Sequence, residues 1–282
     1  FKKVVVADNC ALFVNGVFEN YQTLDGSTLF LGAFFFTIQI YGDFSGYSDI
    51  AIGCARLFGI DLMQNFKYPY FSRDIAEFWR RWHISLTTWF RDYIYIPLGG
   101  SRAGKWKSFR NTLVIFLVSG FWHGANWTFV AWGAYHALLF LPLLLLGQNR
   151  RYRDSVAENS FLPSVKELTQ MGATFLLVLL GWILFRSEDI SQAAVYLQRM
   201  LNASLFSAPQ LVGLGFGQLL LKKCFFFTAL MFVVEWIGRK QAHGLMIEGL
   251  SLPVRYVIYT VLLIIIYGFD ASNPQGFIYF QF

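Results

Sequence analysis

The sequence predicts an all-α, polytopic membrane helical bundle, with amphipathic helices lying in or near the membrane plane. Three observations carry that prediction. The chain is 56% hydrophobic and only 14% charged, with a mean hydropathy of +0.46; soluble domains average about 25% charged residues. Residues 111–146 hold no Asp, Glu, Lys or Arg. Three more apolar stretches follow at residues 171–185, 219–236 and 254–269. Thirty-one Phe, fourteen Tyr and nine Trp suit a lipid-facing surface with interfacial anchors. The net charge of +6 fits cytoplasmic loops beside anionic lipid better than nucleic acid.

Residues 1–18 are moderately apolar but interrupted by Asp8, Asn9 and Asn15, the pattern of a short interfacial helix. Residues 29–60 are apolar yet carry Asp43, Asp49 and Arg56. Carboxylates in such a segment are expensive in lipid and must face protein or water. Either they form a polar knot with a cationic side chain or they act in a cavity.

Residues 72–95 show the i, i+3, i+4, i+7 spacing of an amphipathic helix, with Ser72 as N-cap. Its apolar face carries Ile75, Phe78, Trp79, Trp82, Leu86, Trp89, Phe90 and Tyr93. Glu77, Arg80, Arg81, Thr88 and Arg91 fall opposite, and His83 lies on the inner rim. This helix is too charged to span and belongs in the interface or against the protein. Arg102, Lys105, Lys107 and Arg110 then mark a cytoplasmic loop, as do Arg150, Arg151 and Arg153. Ser187-Glu-Asp caps a short amphipathic helix running to Leu201. Lys222 and Lys223 do not fit the topology.

Residues 111–146 would reach roughly 54 Å as one straight helix, against a bilayer core of about 30 Å. The expected break is at Gly120–Gly124. His123 then stands at a helix interruption near mid-membrane, where broken backbone is tolerated only inside protein or beside a water-filled cavity. A titratable side chain there is a functional candidate, although a neighbouring carbonyl alone would also satisfy it. The four histidines form no HxxxH or HExxH pattern, so no metal site is expected, and Walker, GxSxG and GxGxxG motifs are absent. Cys10, Cys54 and Cys224 make neither a disulfide framework nor a CxxC pair and read as buried small apolar residues. A neutral imidazole in a low-dielectric cavity can accept a proton from a hydroxyl, which suits acyl transfer to an alcohol.

The segments Tyr68-Pro-Tyr-Phe-Ser-Arg-Asp74, Phe78-Trp-Arg-Arg-Trp-His-Ile-Ser85, Trp89-Phe-Arg-Asp92, Tyr95-Ile-Pro-Leu-Gly-Gly100 and Gly120-Phe-Trp-His-Gly124 carry a family resemblance. Together with Asp43-Phe-Ser-Gly-Tyr-Ser-Asp49 and Phe277-Ile-Tyr-Phe-Gln-Phe282, they resemble the membrane-bound O-acyltransferases, nearest the alginate O-acetyltransferase branch. The resemblance implies a bundle around a central tunnel, forming one membrane domain over residues 1–282. It assigns catalysis to His123 and His83, with Trp122, Asn126, Asp43, Asp49, Trp79 and Arg91 lining or supporting the tunnel.

It further implies an acetyl thioester donor such as acetyl-CoA, with no tightly bound cofactor. The acceptor would be an extracytoplasmic polysaccharide, reached directly or through a periplasmic O-acetyltransferase partner, in the bacterial inner membrane. Teichoic-acid D-alanylation and peptidoglycan O-acetylation are the alternatives inside the family. A transporter or a structural scaffold is the alternative outside it, and the paired broken helices of many transporters are not evident. Phe1 stands without an initiator Met, which reads as the C-terminal portion of a longer chain.

Overall fold

The computed structural model describes residues 1–102, 104–211 and 217–269, and the described residues form two units. The motif at residues 277–282 lies outside them.

The first unit contains residues 1–62 and the chain from residue 194 onward. A wide helical turn, Lys2–Ala7, runs into α1 (Asp8–Glu19), which returns through a short loop into α2 (Gly26–Leu57). Asp25 caps α2 by accepting from Thr28 N–H at 2.9 Å. Residues 1–18 are not interfacial as the sequence suggested. Val5, Cys10, Val14 and Val17 are all fully buried. The carboxylates of α2 resolve as the knot. Lys3 bridges Asp8 at 2.8 Å and Asp43 at 2.9 Å, while Lys2 bridges Asp49 at 3.1 Å and Glu235 of α9 (Gln218–Ile237) at 2.9 Å. Tyr41 Oη donates to the same Glu235 at 2.7 Å. Lys223, out of place in the topology, stands 5.8 Å over the ring of Phe269, the last residue of α10 (Leu252–Phe269). Cys54 is exposed rather than buried, because it lies on the far end of α2.

The second unit spans residues 63–193. The expected helix over residues 72–95 is broken here. A 3₁₀ turn (Pro69–Phe71) precedes α3 (Ile75–Arg81), capped by Asp74 rather than Ser72, and α4 (Ile84–Phe90) follows, then a wide turn at Arg91–Tyr95. Between α3 and α4, Trp82 is extended and His83 is left-handed at φ +45°. The hydrogen bonds that a continuous helix would have made go instead to an outside strand of chain: Lys67 N–H donates to Arg81 O and Ile84 N–H to Asn65 O, each at 2.9 Å. Glu77 and Arg81, expected on a solvent face, are buried as an ionic cluster with Arg73.

α5 (Lys105–His123) and α6 (Trp127–Leu145) form an antiparallel hairpin. The break falls at residues 124–126, so it takes in Gly124 of the expected glycine pair but not Gly120. Gly120 lies inside α5 and serves packing: a Cβ there would stand 2.2 Å from Phe129 O, and one on Gly133 would stand 2.3 Å from Phe116 O. The two backbones meet at these points, and no larger residue fits. α7 (Val165–Arg186), started by a Ser164/Glu167 capping box, lies against α6, where Tyr135 Oη donates to Leu177 O at 2.8 Å. α8 (Ile190–Met200) begins after Asp189 accepts from Gln192 N–H at 2.7 Å. By length and composition, α6, α7 and α10 can each cross a membrane.

Candidate active site

His123 is the last residue of α5, so the helix end aims its ring into the notch between the hairpin and α7. The walls are aromatic. Trp122, Trp132 and Phe185 lie edge-on at centroid distances of 5.0, 5.3 and 5.0 Å, with Phe129 at 6.3 Å. Gly124 leaves room for Phe129, whose ring would be 2.6 Å from a Cβ at that position. Asn126 shapes the turn: its Oδ1 caps α6 by accepting from Thr128 N–H at 3.1 Å, and its Nδ2 donates to Glu188 O at 2.6 Å.

His83 reaches the same unit from the α3–α4 break. Its Nδ1 lies 3.2 Å from Asn65 Oδ1, which also accepts from Ser85 N–H at 3.1 Å and Ser85 Oγ at 2.9 Å. A backbone N–H can only donate, so the Asn65 atom facing it is the oxygen, and His83 Nδ1 must carry the proton. That leaves the Nε2 lone pair as the basic atom. Burial pushes the His83 imidazole down to about 4, so it is neutral near pH 7. A left-handed non-glycine residue carries strain of about 1–2 kcal/mol, a feature that clusters at functional sites.

A continuous path of rings joins the two histidines. Phe66 lies 6.4 Å from His83 and 5.0 Å from Trp82; Trp82 is 5.0 Å from Trp182, and Trp182 is 5.5 Å from Phe185, which walls His123.

Residues 15–159 match the model of the membrane-bound O-acyltransferase family. The chain belongs to that family. It is 44% identical over 192 residues to a protein of Pseudomonas syringae named probable alginate O-acetylase AlgI, covering 68% of this chain and 35% of that relative. A Pseudomonas putida protein of the same name is 35% identical over 299 residues, covering all of this chain and 59% of the relative. A Helicobacter pylori peptidoglycan O-acetyltransferase is 39% identical over 202 residues, 72% of this chain and 37% of its own. The chain thus spans between a third and three-fifths of the length of these relatives. The family match includes both His83 and His123, and with its apolar helices the chain is a membrane protein.

The other residues named from the sequence separate. Trp122 touches His123 and is half exposed; Asn126 is a cap. Trp79 stands one ring further back, against Trp132 and His136. Arg91 is exposed and pairs with its neighbour Asp92 at 2.7 Å. Asp43 and Asp49 belong to the first unit and its ion pairs. Two contributors went unread. Asn65 sets the His83 tautomer, and a lone Asn in a loop carries no sequence signal. His136 is fully buried, boxed by Trp79, Trp132 and Tyr135 at 4.9 to 5.3 Å, with its Nε2 only 2.7 Å from where a Cβ on Gly181 would stand. A histidine inside an otherwise uncharged apolar run was the available hint.

Proposed function

We propose that this chain carries the acyl-transfer centre of a multi-pass O-acyltransferase of the bacterial inner membrane. It moves an acetyl group from a cytoplasmic thioester, acetyl-CoA or a related donor, to hydroxyls of an extracytoplasmic polysaccharide, directly or through a periplasmic partner. The observation that carries the reading is the pair of histidines joined through one aromatic cluster. His123 takes the acceptor hydroxyl proton as the oxygen attacks the thioester carbonyl. The tetrahedral intermediate collapses, the carbon–sulfur bond breaks, and the proton passes to the departing thiolate. His83 is held in one orientation by Asn65, 3.2 Å from its Nδ1. It serves as a neutral hydrogen-bonding group that orients the thioester or the partner imidazole.

An alginate-like acceptor is favoured over teichoic-acid D-alanylation by coverage. The Pseudomonas putida relative matches the whole chain, whereas a teichoic acid D-alanyltransferase of Streptococcus thermophilus matches 36% of it. The test is acetyl transfer by the full-length protein in liposomes. His123→Ala should reduce turnover by roughly 10²–10⁴-fold, and unchanged turnover sinks the assignment. In a His83→Ala/His123→Ala cycle, the double variant should be little worse than the more damaged single. Losses that multiply show two independent residues and reduce His83 to a packing role.

A further inference from the structure

A basic cavity of about 370 Å³ opens in the second unit, and the centre described above makes no use of it. Lys67, Arg80, Arg81, Arg150 and Arg153 line it together with Tyr152, and no carboxylate is among its lining residues. Arg81 is already paired with Glu77 at 2.7 Å; the other four cations in so small a space repel one another, a cost that a multiply charged anion relieves. Asp154, beside the cavity, is paired with Arg73 at 3.1 Å.

The cavity is also built. Arg80 donates to Asn149 O and Tyr152 O, and Arg81 donates to Asp154 O at 2.9 Å, so guanidinium groups pin the 149–154 loop by its backbone. The loop's own side chains, Arg150 and Arg153, are thereby presented to the cavity. The site also adjoins the candidate centre. The backbone bonds that pair Lys67 with Arg81 continue two residues along into the Asn65–His83 pair.

We infer that this cavity binds a phosphate-bearing group, held by arginine forks of the kind that match phosphate oxygens. Two sources share that chemistry: the phosphorylated end of a soluble thioester donor, and the headgroup of an anionic lipid. The first rests on the acyl-transfer reading; the second does not.

The experiment is calorimetric titration of inorganic pyrophosphate into the full chain in zwitterionic nanodiscs. Wild type should bind. Arg150→Gln/Arg153→Gln should weaken binding by roughly tenfold or more, and Arg150→Lys/Arg153→Lys, which keeps the charge and loses the fork, should fall between the glutamine variant and wild type. Both arginines are exposed, so the fold should persist; if the double variant does not fold, Lys67→Gln takes its place in the same titration. Repeating the titration in phosphatidylglycerol nanodiscs separates the sources. Binding that persists identifies a soluble ligand, and binding competed away identifies the lipid headgroup. No binding by wild type, or equal binding by wild type and the glutamine variant, overturns the inference. His123→Ala should bind pyrophosphate normally. Should it also retain turnover, the acyl-transfer centre fails while the cavity stands.

Discussion

Both units place titratable groups in apolar surroundings, and the lysines of the first and the histidines of the second are accommodated in opposite ways. In the first, Lys2 and Lys3 are each held between two carboxylates, Asp49 and Glu235 for one, Asp8 and Asp43 for the other. In the second, His123 is walled by rings, and His83 is held neutral by burial. A buried charge that is paired on every side is committed to structure, since breaking one pair strands the other ion. A neutral imidazole keeps its lone pair for chemistry. The comparison explains why the carboxylates of α2, as conspicuous in the sequence as the histidines, are the poorer candidates for catalysis.

The largest effect should come from the second unit's own ionic cluster. Glu77 accepts from both Arg73 and Arg81 at 2.7 to 3.1 Å and is almost fully buried. Glu77→Gln should destabilise by about 3–5 kcal/mol, read as a fall in melting temperature or in folded yield. A melting temperature unchanged from wild type would show that the cluster is solvated and not structural.

The next effect concerns pH. His83 has a folded-state value of about 4, below its unfolded value of 6.5. The unfolded chain therefore binds the proton first, and stability is intact above pH 6.5 and falls as pH drops towards 4. The loss amounts to about 3 kcal/mol. A His83→Gln variant should melt with a flatter dependence across that window; an identical slope removes His83 from the account.

Asn65 sharpens the contrast at the site itself. Asn65→Ala frees the His83 tautomer without touching the aromatic wall. It should lower kcat by roughly 10–100-fold, equivalent to about 1.4–2.7 kcal/mol, with KM little changed. Asn65→Asp, which still accepts from Nδ1–H, should recover part of the rate. A pure stability loss with kcat intact makes Asn65 a packing residue only.

The smallest effect belongs to the edge of the first unit's knot. The Asp49 side chain is about a third exposed and shares Lys2 with Glu235. Asp49→Asn should cost about 1 kcal/mol or less and leave acetyl transfer per folded molecule unchanged. A large drop in turnover would return Asp49 to the catalytic candidates.

Residue pattern alone determined the helical class, the positions of the apolar helices and the helix interruption beside His123. Apolar run length, charge exclusion and glycine placement are properties of the chain in one dimension, and α7, α9 and α10 begin and end within a few residues of the apolar stretches. Periodicity could not show the break at Trp82–His83. No glycine or proline marks it, and it exists because residues 65–67, distant in the folded helix's own register, compete for the hydrogen bonds of Arg81 and Ile84. The same limit hid Asn65, whose role depends on a three-dimensional meeting with Ser85 and His83. It also placed Glu77 and Arg81 on a water-facing side, since a helical wheel records angle and not what packs against that angle. Tertiary structure alone decided which titratable groups are spent on one another and which stay neutral, because pairing and burial are relations between segments far apart in the chain.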